Sequence, residues 1–150
     1  MSEFLVKHLT HEDIDNLLIL VQELNPTIPT EALKARLTEM FGFDNYRCFG
    51  LFIDNQLAGA ASGWITVRLY SGKQLEVDNV IINGNIHSQG FGTRFLSTIE
   101  LWAFENGCET VELNTYVQND RSHKFYFNQG YKILGFHFQK QLDAHGDKHD

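Results

Sequence analysis

The apolar run Val80-Ile81-Ile82 leads into His87-Ser88-Gln89-Gly90-Phe91-Gly92-Thr93, and an apolar helical pattern begins there. A helix N-terminus offers unpaired backbone N–H groups and partial positive charge. Glycines let an anion approach the backbone closely, so strand, glycine loop and helix together make a pyrophosphate cradle. The same glycines are also what a plain turn uses. The loop is not a P-loop, because no Gly-Lys-Ser/Thr follows. The six-residue GxGxxG frame fails as well, since Phe95 stands where its last glycine would fall. Upstream, Glu76 and Asp78 alternate on the strand, and simple alternation puts them on one face with Val80 and Ile82. Two acids on an otherwise apolar face can take protons or hold a cation; they can equally be solvated surface acids. Downstream, Tyr126 is either a core aromatic or a proton donor. Asn119 is either a helix N-cap or a ligand-binding amide. The seven histidines (His8, His11, His87, His123, His137, His145 and His149) show no metal-ligand spacing with Cys or acids, so no metal site is expected.

The elements that would position these groups can be read from periodicity. Phe4 to Leu9 suits a first strand. Thr10 with Asp13 resembles a capping box, and Ile14, Leu17, Leu18 and Val21 then recur at helical spacing to about Leu24. Asn25-Pro26 stops that helix. A second starts near Pro29-Thr30, buries Leu33, Leu37 and Met40, and ends at Gly42. Arg47 to Ile53, Leu57 to Tyr70 and Leu75 to Ile82 form a meander turning at Asp54-Asn55 and Ser71-Gly72. The glycine loop opens a helix with Phe95, Leu96, Ile99, Trp102 and Ala103 on its apolar face, closed by Asn106-Gly107. Thr110 to Tyr116 is a strand, Asn119 starts a helix through Phe125 and Tyr126, Gly130 breaks it, and Tyr131 to Phe138 is the last strand. The order β-α-α-β-β-β-α-β-α-β gives an α+β, or three-layer α/β, domain around a mixed, mostly antiparallel sheet.

The bulk properties narrow the function. The 150 residues fit one domain, 1–150, with 143–150 expected as a flexible charged tail. A 43% hydrophobic content is that of a globular protein. The net charge of −7 disfavours nucleic acid as a partner and suits a cationic one. Cys48 and Cys108 suggest free thiols in a reducing compartment. The N-terminus has no signal-peptide pattern and no stretch is apolar enough to span a bilayer, so a soluble cytoplasmic protein without membrane partners is expected.

Taken together, the two motif regions closely resemble the GNAT superfamily of N-acetyltransferases. Its first motif, R/Q-x-x-G-x-G/A, is matched by Gly90 and Gly92. Its second, roughly N-x-x-[AS]-x-x-[FL]-Y-x-x-x-G-[FY], is matched by Asn119, Ser122, Phe125, Tyr126, Gly130 and Tyr131. The resemblance covers essentially the whole chain, and its C-terminal half is similar to small bacterial members acting on aminoalkylphosphonates or related metabolites. One departure is His87, where the family usually has Arg or Gln; Ser88 beside it is often Gly.

The resemblance implies acetyl-CoA as cofactor. Its pyrophosphate would lie over His87, Ser88, Gln89, Gly90, Phe91, Gly92 and Thr93. Its pantetheine would pair with the backbone of Val80, Ile81 and Ile82, with an N–H at Val80 polarising the thioester carbonyl, and Asn119 and Ser122 would lie on the same side. Tyr126 stands at the family's general-acid position. Glu76 matches the base of histone-type members, with Asp78 one pleat nearer the thioester. Glu23, Trp64 and Tyr70 would line the acceptor pocket. The expected function is transfer of acetyl to a primary amine of a small metabolite by direct attack in a ternary complex. The competing readings are a protein lysine or N-terminal acetyltransferase, and a regulatory domain that binds acetyl-CoA without turnover. A homodimer agrees with the habit of such enzymes.

Overall fold

The first turn of the chain is fixed locally. In the computed structural model, Asp13 Oδ2 accepts the Thr10 N–H at 2.8 Å and Thr10 Oγ1 accepts the Glu12 N–H at 3.3 Å, the reciprocal pair expected of a capping box. The structure describes residues 3–83, 90–115 and 120–143. The chain divides into two compact units, 1–114 and 115–150.

The first unit holds strands β1 (Phe4–His8), β2 (Tyr46–Ile53), β3 (Gln56–Arg68), β4 (Gly72–Ile82) and β5 (Thr110–Leu113), with helices α1 (Ile14–Leu24), α2 (Thr30–Phe41) and α3 (Phe91–Glu105). The strands form one sheet in the order β1-β2-β3-β4-β5. Every neighbouring pair is antiparallel except β4 with β5, which is parallel. Asp54 and Asn55 turn β2 into β3 with φ of 50° and 67°, the left-handed pair that matches strand twist in a tight hairpin.

Two apolar clusters cover the two faces. Leu17, Leu18 and Leu20 of α1 and Leu33 and Leu37 of α2 pack on Tyr46, Cys48, Ala60 and Ile81. Phe91, Phe95, Ile99 and Ala103 of α3 pack on Phe49, Leu51, Ala61, Leu75 and Val77. The result is the expected three-layer arrangement. None of the described helices is long and apolar enough to cross a membrane.

The second unit holds α4 (Asp120–Asn128). Gly130, at φ 91°, closes it, and the Tyr131 N–H reaches back to the Tyr126 carbonyl at 3.0 Å. The strand expected over Tyr131–Phe138 is not formed there; those residues carry no regular secondary structure. A strand exists only through its ladder, and among the described residues 131–138 have no ladder partner. Of the expected flexible tail, all but Asp143 lies outside the described residues.

Candidate active site

The sheet is interrupted where the candidate acids sit. Ser62 of β3 pairs with Asn79, but its neighbour Gly63 pairs with Val77, so Asp78 is an extra residue in β4. Such a bulge re-aims the side chains beyond it. Before it, Leu75 and Val77 face α3; after it, Val80 and Ile82 do, while Ile81 turns to the α1/α2 face. Glu76 and Asp78 therefore do not share a face with Val80 and Ile82, as unbroken alternation would have it. They share the α1/α2 face with Trp64, which pairs with Glu76 across the ladder and whose indole N–H donates to Asp78 Oδ2.

The two carboxylates have different surroundings. Glu76 Oε1 accepts three hydrogen bonds: Arg68 Nε at 2.9 Å, Arg68 Nη2 at 2.6 Å and Gln74 Nε2 at 2.7 Å. Gln74 is fully buried and is itself held by Ser71 Oγ at 2.5 Å. Glu76 is thus tied down with the Arg68 guanidinium in contact. Asp78 is half-buried and, among the described residues, has no such cation. Its pKa is raised above the ordinary carboxylate value, first by burial; the Trp64 hydrogen bond opposes this and the Glu76 charge adds to it. A carboxylate raised in this way is a better proton acceptor than its solvated counterpart.

Of the other expected acceptor residues, Trp64 lies between Tyr46, tilted with ring centroids 4.8 Å apart, and Phe43, edge-on at 5.6 Å. Tyr70 is exposed and donates to Glu112, 2.8 Å from either carboxylate oxygen. Glu23 is exposed on α1. Its neighbours Val21 and Leu24, not Glu23, line a cavity of about 200 Å³ between α1, α2 and the sheet. Sequence reasoning missed the floor of that cavity. Tyr46, Cys48 and Ser62 all line it. Tyr46 Oη is buried and, among the described residues, makes no hydrogen bond of good geometry, with only the Ser62 hydroxyl and the Cys48 thiol near enough for weak ones. Burial raises the Tyr46 pKa, and it pushes the Cys48 thiol up to about 12. Both stay neutral at physiological pH. Arg68 was also missed; counting outward from the Ser71-Gly72 turn would have placed Trp64 opposite Glu76 and Arg68 on the same hairpin.

The cofactor residues fall on two elements of the first unit. Gly90 is the N-cap of α3 with φ 75°, and a Cβ built there would meet no atom within 4 Å. Among the described residues no side chain caps α3, so the first-turn N–H groups of Phe91, Gly92 and Thr93 have no side-chain acceptor there, as an anion cradle requires. Along β4, pairing with β3 continues to Ile82, but among the described residues pairing with β5 stops at Val77. The β5-side edge of Asp78 to Ile82 is therefore open to an added extended chain. His87, Ser88, Gln89 and Asn119 lie outside the described residues. Ser122 and Tyr126 stand on α4 in the second unit. Burial raises the Tyr126 pKa, which keeps the phenol protonated.

The profile of the Acetyltransferase (GNAT) family matches residues 17–131. The aminoalkylphosphonate N-acetyltransferase of Salmonella typhimurium is 24% identical over 139 residues, covering 91% of this chain and 90% of that protein. Among solved structures, aminoglycoside N-acetyltransferase AAC(6')-Iy in complex with CoA superposes with a TM-score of 0.83 at 16% identity, over 96% of this chain and 97% of that one. An acetyltransferase from Agrobacterium tumefaciens superposes with a TM-score of 0.78 at 22% identity, over 92% and 99%. At these identities the structural likeness speaks for the fold.

Proposed function

This chain belongs to the acetyltransferase (GNAT) family and is an acetyl-CoA-dependent N-acetyltransferase, and within that family we propose that it acetylates a primary amine of a small metabolite, with Asp78 as the base. The observation that carries the choice of base is the contrast between Asp78, half-buried with a raised pKa, and Glu76, neutralised by Arg68. An acceptor ammonium beside Asp78 loses its proton to the carboxylate, directly or through one water, and attacks as the free amine. Trp64 fixes the carboxylate that receives the proton, while Glu76 serves as part of the cationic substrate's surroundings.

The residues present fit the cofactor. Gly90 to Thr93 would hold the pyrophosphate, with His87, Ser88 and Gln89 in the same loop. The open edge at Val80, Ile81 and Ile82 would hold the pantetheine, with Asn119 and Ser122 as further contacts. When bound, acetyl-CoA supplies an acetyl group activated as a thioester. Residues 1–150 act as one catalytic domain in this reading, with Tyr126 giving a proton to the departing sulfur. Burial keeps the phenol protonated, as a donor must be, while making it a weaker acid. Tyr126→Phe should lower kcat at least ~10-fold, a conservative share of what general acid catalysis contributes, and leave acetyl-CoA affinity nearly unchanged. The free, buried Cys48 and Cys108 agree with a reducing cytoplasmic setting.

The relatives' substrates, an aminoalkylphosphonate and aminoglycosides, support a small-molecule acceptor. A thiol-release assay over small amines, lysine peptides and free peptide N-termini tests it. Turnover confined to small amines is the expected result. Preference for the peptides would make the protein a lysine or N-terminal acetyltransferase, and tight acetyl-CoA binding without thiol release would make it a regulatory domain.

A further inference from the structure

The cavity between α1, α2 and the sheet has an unusual lining for a site that would handle cations. Leu17, Leu33, Leu37 and Ile81 form apolar walls, and among the described residues the only charged side chain lining it is Arg36 of α2. None of the described carboxylates lines it. At about 200 Å³ it exceeds the ~150 Å³ of an apolar cavity that takes up benzene. Its floor is polar but neutral: the Tyr46 phenol and Cys48 thiol are both held protonated by burial. Tyr46 is only 6% exposed, and among the described residues its Oη has no well-formed hydrogen bond, only the Ser62 hydroxyl and the Cys48 thiol beside it. A buried hydroxyl without a well-formed hydrogen bond is costly, so an incoming group that bonds to it is favoured.

The cavity adjoins the base. The Asp78 charge acts on the Tyr46 phenol, and the Trp64 ring, 4.8 Å from Tyr46, also donates to Asp78. An amine held at Asp78 can therefore extend its remainder past Tyr46 into the cavity.

We infer that this cavity is the subsite for the acceptor's non-amine part, and that it selects a monocationic primary amine bearing one apolar chain or ring, with room for a hydroxyl at its far end. The inference rests on the acetyltransferase reading for the amine, but not for the cavity itself. A second ammonium would lose its water without gaining a carboxylate, and would face Arg36. Polycationic acceptors are thereby disfavoured, in contrast to the aminoglycosides named for the structural relatives.

Two measurements on the full chain test this. The first is thermal stability with n-hexanol, a neutral probe that cannot be N-acetylated. Hexanol should raise Tm in the wild type but not in Ala60→Val, because Ala60 lines the cavity and two added methyls fill part of it. The second is kcat/KM for n-alkylamines from ethylamine to hexylamine. It should climb about threefold to fourfold per methylene and exceed that for spermidine by at least ~10-fold. Tyr46→Phe, which leaves the cavity open if Ala60→Val fails to fold, should lower kcat/KM for 6-amino-1-hexanol several-fold more than for hexylamine. A hexanol effect lost in Ala60→Val without turnover of any amine would uphold the subsite and overturn the acetyl-transfer reading. No hexanol effect on the wild type, a flat amine series or preference for spermidine would overturn the inference.

Discussion

The face of the sheet under α3 is packed to closure: Leu51, Leu75 and Phe95 are wholly inaccessible, and Ile99 and Val77 nearly so. The face under α1 and α2 is built from similar apolar residues but keeps a cavity, a phenol without a well-formed hydrogen bond and two carboxylates. The difference originates at one residue. Asp78, the extra residue in β4, interrupts the alternation, so a carboxylate and the edge beside it are released from the ladder. One face carries stability, and the other gives up packing for room to bind and for charge that can move.

The largest effect that separates the two faces is a matched core truncation. Leu75→Ala, against α3, should cost about 4–5 kcal/mol, the high end of such substitutions. Leu37→Ala, beside the cavity, should cost only ~2 kcal/mol, because its side chain already lacks contacts on one side. Urea unfolding of both variants measures this. Equal costs would mean that the cavity is closed in solution.

Gly63 tests the bulge itself. A Cβ there would stand 2.7 Å from the Glu76 carbonyl oxygen and 2.9 Å from Leu75 Cδ1. Gly63→Ala should therefore destabilise by about 1–3 kcal/mol through overpacking. A neutral substitution would show that β3 can move away from β4 freely, and the bulge would lose its role in aiming Asp78.

A smaller effect concerns the cost of the buried carboxylate. Burial raises the Asp78 pKa, so the stability contributed by its neutral form is complete below the ordinary carboxylate pKa and is lost as pH rises through the folded-state value. Asp78→Asn keeps an oxygen for the Trp64 N–H and removes the charge. Its Tm should exceed that of the wild type at pH 7, with the gain fading towards pH 4. A gain independent of pH would have another cause.

Much of this was legible in the sequence. Helical periodicity gave α1 to α3 within a residue or two, and Asp54-Asn55 announced its hairpin because few other residues tolerate two left-handed positions. Gly90 announced the start of α3, which it caps at φ 75°. The bulge was not legible. Nothing in Glu76 to Ile82 distinguishes an interrupted strand from a regular one, so alternation carried Asp78 to the face of Val80 and Ile82. The cavity was hidden for a related reason: a void is a property of how α1 and α2 sit on the sheet, and Leu33 and Leu37 read as core whether or not they touch it. The extended reading of Tyr131 to Phe138 rested on composition, which cannot supply a ladder partner.

The central claim is that Asp78, not Glu76, takes the acceptor's proton. The direct measurement is kcat/KM against pH for one verified amine in wild type, Asp78→Asn and Glu76→Gln. The wild type should show an acidic limb set by a group above the ordinary carboxylate range. Asp78→Asn should lose that limb and fall ~10²–10⁴-fold near neutral pH, as removal of a general base does. Glu76→Gln should keep the limb, with its main change in KM. The contrary result, a limb abolished by Glu76→Gln and intact in Asp78→Asn, would assign the proton to Glu76 and contradict the account.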